Sequence, residues 1–179
     1  SHYPKPRQRA TETDKGLSPP VCARLSSPTM ARSFHQNIVH IVFSTKQRDP
    51  LISGDMEKDL HAYLGGIIRE LKGVPLNING TEDHLHILAN SPKTVTDADF
   101  MRTIKANSSS WVKSRFAASR SFAWQEGYGW FSVSKSNVAA VSEYIDRQKE
   151  HHQSRGFKDE FLRLLEKHEV EYDERYVWD

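Results

Sequence analysis

His84, Leu85 and His86 open a run, 84–90, whose apolar and β-branched content reads as a strand. Alternation puts both imidazoles on one face, their Cα atoms roughly 6.7 Å apart, with Leu85 and Ile87 on the other. Two imidazoles at that separation can grip one divalent cation, or they are two polar strand positions facing solvent. Further along, 137–152 reads as a helix. At roughly 100° per residue, Val138, Val141 and Ile145 form an apolar stripe. Asn137, Tyr144, Gln148 and His151 fall beside it. Tyr144 and Gln148 stand at i and i+4, one turn apart. Read alone, this is a boundary tyrosine with polar neighbours.

Together the two segments describe a reaction centre. A phenol with a free pKa of about 10 is a poor nucleophile. It attacks a phosphodiester usefully only where a metal polarises the phosphate and draws off developing charge. Two imidazoles and one amide oxygen make a three-ligand site with positions left open for phosphate oxygens. Mixed nitrogen and oxygen donors suit Mg²⁺ or Mn²⁺.

The chain that must position these groups has 179 residues, 37% hydrophobic and 27% charged, with net charge +2. That is one domain of ordinary size plus at most a tail. No apolar run reaches the roughly 18 residues of a membrane span, so no membrane is expected as partner. The one cysteine, Cys22, excludes a disulfide framework and thiolate zinc sites, and a reducing, cytoplasmic location is the expectation. A mildly basic body with an acidic end is compatible with nucleic acid without demanding it. Residues 1–33, rich in Pro, Ser and Thr without apolar periodicity, read as a disordered extension, with Met30 a candidate start codon. The expected domain is 34–179.

Within it, Asn37–Thr45 is a central strand and Asp55–Lys72 a helix, where Gly65 and Gly66 suggest close packing on a sheet. Val74–Gly80 and His84–Asn90 form a hairpin. A helix with Asp97 as N-cap runs to about Phe116. Gln125–Ser134 is a strand broken by glycines, and helices follow at 137–152 and 157–168. The order βαββαβ is that of a ferredoxin-like α+β fold: an antiparallel sheet with helices on one face. The other face needs cover, from the C-terminal helices or from a second protomer.

D-H-L-H-I-L (83–88), followed by Y-I-x-x-Q-x-x-H-H (144–152), resembles the single-tyrosine HUH transposases, the insertion-sequence two-hundred-like group. H-I-V-F-S-T-K (40–46), W-Q-E-G-Y-G-W-F-S-V-S (124–134) and Y-D-E-R-Y-V-W-D (172–179) are similar to the same family, so the resemblance covers about 34–179. It implies that His84 and His86 are metal ligands, Gln148 the third ligand and Tyr144 the nucleophile. It implies cleavage of single-stranded DNA, beside hairpin ends, through a 5′-phosphotyrosine and a free 3′-OH. Strand transfer then reverses the step without ATP. It also implies a homodimer, with the tyrosine helix completing the partner's site.

Several residues have more than one reading. His40, on the first strand, is a group behind the ligands, a DNA contact or a structural histidine. His151 competes with Gln148 for the metal, while His152 falls on the apolar stripe. Arg102, Lys105 and Lys113 share the polar face of the helix from Asp97. With Lys46 and Arg48 they are either a solvated face or phosphate contacts. Tyr63, Tyr172 and Tyr176 are other phenols without an i+4 amide on a firm helix. The alternatives to a mobile-element transposase are a domesticated relative acting on chromosomal repeats and a non-catalytic nucleic-acid-binding module. RNA-binding modules of this fold carry aromatic stacking motifs on the central strands; here the first strand carries aliphatics and a histidine and the third His-x-His, which argues against the last.

Overall fold

A run such as Ile-Val-His-Ile-Val-Phe-Ser has no polar alternation, and it forms a strand only if both of its faces are covered. In the computed structural model it is β1 (Ile38–Ser44), buried at all seven residues. The structure describes residues 34–150, 156–173, 175 and 177. The expectations for residues 1–33, His151, His152 and Tyr176 lie outside the described residues.

Four strands make one sheet: β1, β2 (Val74–Gly80), β3 (His84–Asn90) and β4 (Gly129–Ser132), in the order β2-β3-β1-β4. The pairs β1–β3, β1–β4 and β2–β3 are all antiparallel. With α1 (Gly54–Glu70) and α2 (Asp97–Arg115) in the crossovers, this is the ferredoxin-like α+β arrangement. No helix of the described residues is long and apolar enough to cross a membrane.

The side-chain period of two divides the strands cleanly. Val39, Ile41 and Phe43 of β1, with Leu85, Ile87 and Ala89 of β3, face α1 and α2 and make the main core. Ile38, His40, Val42 and Ser44, with His84, His86 and Leu88, point the other way. Two further helices cover them: α3 (Val138–Asp146) through Ile145, and α4 (Phe157–Lys167) through Phe157, Phe161, Leu164 and Leu165. α1 and α2 thus share one face as expected, and the chain's own C-terminal helices close the histidine face.

Local readings differ in four places. The α2 N-cap is Thr96, whose hydroxyl accepts from the Asp99 amide at 3.1 Å, and Asp97 is the first helical residue. A Cβ on Gly65 would meet only the Arg69 side chain, and one on Gly66 nothing within 4 Å, so neither glycine marks a close approach to the sheet. The glycine that does is Gly80, where a Cβ would lie 2.2 Å from the His84 carbonyl oxygen and block the β2–β3 turn. β4 is four residues long, because 125–128 is a loop. Lys105 clamps that loop, its Nζ donating to the carbonyls of Gln125 and Glu126 at 2.8 Å and Gly127 at 2.7 Å. Finally, the tyrosine helix ends at Asp146; Arg147 leaves helical geometry and a new helical turn starts at 148.

Candidate active site

The two histidines of β3 are fully buried on the face toward α3 and α4. Asp83, next in sequence, sits 2.7 Å from His84 Nδ1, and the Thr81 hydroxyl donates to Asp83 at 2.8 Å. A carboxylate on Nδ1 fixes the proton there, which turns the Nε2 lone pair into the site. His86 is held differently. Its Nδ1 lies 2.9 Å from His40 Nε2, and the two rings stack at 5.1 Å. His40 is paired opposite Leu88, so it reaches His86 diagonally across the β1–β3 ladder. Burial, then the neighbouring His168 and Lys167, lowers the His40 pKa to about 4, so its ring is neutral at neutral pH. When His86 donates from Nδ1 to His40, its Nε2 lone pair faces the same space as that of His84.

Across that space stands Glu160 of α4, which the motif spacing does not single out. One oxygen lies 3.4 Å from His86 Nε2 and the other 3.7 Å from His84 Nε2. A signal for it is present in the sequence. The apolar face of α4 is Phe157, Phe161, Leu164 and Leu165, and Glu160 borders that stripe beside Leu164 and is itself buried. A carboxylate among buried aromatic and leucine side chains needs a partner.

Gln148 and Tyr144 both meet Glu160. The Gln148 amide donates to Glu160 Oε1 at 2.9 Å and turns its own oxygen toward His84 Nε2 at 3.3 Å. The Tyr144 hydroxyl donates to the same Glu160 oxygen, and its ring lies 6.0 Å from His86 and 6.2 Å from His40. The two residues come together although the helix breaks between them, because β2 holds the break in place. Asn79 Nδ2 donates to the carbonyls of Ile145 (2.9 Å) and Asp146 (3.1 Å), taking up acceptors a helix end leaves open. Asn77 adds bonds to the Ser142 hydroxyl at 2.9 Å and to Asp146 Oδ1 at 2.8 Å.

His84, His86 and Glu160 offer donor atoms that all lie within 4.8 Å of one another. Two imidazole lone pairs, a carboxylate and an amide oxygen turned toward one another repel unless a cation lies between them. The chemistry of this donor set therefore fits a divalent metal.

The other candidates sit apart from this centre. Tyr63 stacks on Trp111 at 4.7 Å, on the opposite side of the sheet. Tyr172 packs at the edge of the α4 cluster. Arg102 is exposed and paired with Asp99 at 2.5 Å. Lys46, Arg48 and Lys113 are exposed. Lys105 is the exception on its face: three carbonyls occupy its ammonium, and burial lowers its pKa to about 8.

Residues 33–148 match the family model described as "Transposase IS200 like". Among solved structures, a Deinococcus radiodurans R1 protein described as a transposase has a similar fold. The TM-score is 0.53 at 20% identity, over 65% of this chain and 93% of that one. A REP-associated tyrosine transposase bound to a REP hairpin is similar at TM-score 0.52 and 12% identity, over 68% of this chain and 72% of that one. No curated protein matches the sequence.

Proposed function

Since the chain belongs to the IS200-like transposase family, we propose that it nicks and rejoins single-stranded DNA with Tyr144 as the nucleophile. The observation that carries this reading is the meeting of one phenol with two imidazoles, an amide and a carboxylate on one covered sheet face. Tyr144 Oη forms a bond to phosphorus as the bond from phosphorus to the 3′ oxygen breaks. The products are a 5′-phosphotyrosine and a strand ending in a 3′-hydroxyl. Glu160 Oε1 already accepts the phenol's hydrogen bond, so it is the group placed to take the proton. Return of that proton accompanies the reverse step, when a 3′-hydroxyl from another end attacks the phosphotyrosine. The covalent bond keeps the energy of the broken phosphodiester, so the cycle needs no nucleotide hydrolysis.

His84, His86 and Glu160, with Gln148 beside them, would hold Mg²⁺ or Mn²⁺. The bound cation supplies charge neutralisation at the scissile phosphate. Asp83 and His40, each beside an Nδ1, would orient the two imidazoles so that Nε2 is turned toward it. Lys46, Arg48, Arg102 and Lys113 are proposed to meet the DNA backbone as exposed cations. The substrate is proposed to be single-stranded beside hairpin ends, and the active species a homodimer of the 34–179 domain.

The test is to incubate the full chain with single-stranded DNA from the flanks of its own gene and look for an adduct that survives denaturation. Wild type should form it with Mn²⁺ and lose it with chelator. Tyr144→Phe should bind the same strand and form none. Fully paired duplex should be spared. Equal cleavage of duplex and single strand, or full activity in chelator, contradicts the reading.

A further inference from the structure

A cavity of about 500 Å³ opens directly off Tyr144, between α3 and α4. That size is in the range of small-ligand sites. Val141 and Leu164 give it apolar walls, and Asn137 stands at its edge with an amide that can both donate and accept. Arg163 and Lys167 of α4 also line it, with Glu160, His40 and His168 at the end nearer the phenol and the sheet. Both cations are exposed, and among the described residues neither forms an ion pair.

The order of charges along α4 is informative. Glu160, Arg163 and Lys167 stand at i, i+3 and i+7, on one face. The carboxylate lies at the phenol, and the cations follow one and two turns away, at about 5.4 Å per turn. A strand laid along this face has its reacting phosphate at Tyr144 and its next phosphates at Arg163 and Lys167. The base between them meets the apolar walls.

From this arrangement, resting on the proposed nuclease reading, we infer that the cavity is a subsite for the nucleotide immediately 3′ of the scissile phosphate. In an in-line displacement the leaving 3′ oxygen and its nucleotide depart opposite the nucleophile. The nucleotide whose 5′ oxygen stays on phosphorus remains beside the tyrosine. The cavity lies on the tyrosine's own side, so it holds the nucleotide that stays covalently attached. Arg163 and Lys167 hold the phosphates that follow it, and Val141, Leu164 and Asn137 meet its base.

The experiment uses single-stranded oligonucleotides from the gene's own flanks, with the cleavage position mapped first. An abasic residue is then placed on either side of the nick. The full chain should form adduct about tenfold more slowly when the 3′-side base is missing, the scale of one lost base contact. Removal of the 5′-side base should cost less. Val141→Phe, which projects a ring from the apolar wall into the space where the base would lie, should make intact and 3′-abasic strands react alike. Arg163→Ala with Lys167→Ala should reduce the salt dependence of binding, lowering its slope by about one unit. If wild type forms adduct on both strands at the same rate, the subsite is wrong and the nuclease reading stands. If no single strand yields an adduct, both fall together.

Discussion

Glu160 carries two bonds at once, from the Tyr144 hydroxyl and from the Gln148 amide, while its second oxygen faces His84. Its replacement therefore separates charge from shape. Glu160→Gln keeps the volume and removes the negative charge, so Mn²⁺ affinity should fall by roughly tenfold or more, measured by calorimetric titration. The same variant has a thermal signature. A cation that binds only the folded state adds about 2.7 kcal/mol at a hundred times its Kd. Wild type should therefore melt higher with Mn²⁺, and Glu160→Gln should show little of that gain. Asp83→Ala frees the His84 tautomer and should cost about 10–100-fold in metal affinity or adduct rate. Gln148→Ala should be milder and recover with more metal. His84, His86, Tyr144 and Gln148 were legible in the sequence because types and spacing repeat a chemical pattern. Glu160 has a weaker signal, a carboxylate bordering the apolar face of α4, and no motif spacing ties it to the histidines; the fold brings it to them.

At the scale of elements, the position of α3 depends on β2, an edge strand whose side chains reach over the sheet. Asn79→Ala leaves the Ile145 and Asp146 carbonyls without that partner. The loss should be about 1 kcal/mol of stability. Adduct formation should fall further than that, since Tyr144 and Gln148 are placed by the same break. Urea unfolding and adduct yield on the same protein separate the two effects. Lys105 gives a second case. Its three carbonyl partners make it a staple for 125–127, so Lys105→Ala should lower the melting temperature and leave the salt slope of DNA binding unchanged. An equal loss in the slope would return it to the phosphate contacts. Periodicity set out β1, α1, β2, β3 and α2 well. It overran α3, because the stop at Asp146 comes from asparagines on another element, and it overran β4, because a distant lysine holds the preceding loop.

At the scale of the molecule, the histidine face is closed by the chain's own α3 and α4, so one chain brings Tyr144 to its own His86. The βαββαβ order was readable from the sequence. The cover on the second face was open between the chain's own helices and a partner, since strand patterns show that a face is apolar without showing what meets it. The arrangement predicts that mixing His84→Ala with Tyr144→Phe, under demonstrated chain exchange, restores no adduct. Recovery toward about one quarter of wild type would mean that a two-fold dimer shares its sites. The central claim is the identity of the nucleophile, and peptide mapping of the covalent protein–DNA species tests it most directly. The account predicts a nucleotide-bearing peptide containing Tyr144, with a free 3′-hydroxyl on the released strand. DNA bonded to Tyr63, Tyr172 or Tyr176 instead would contradict it.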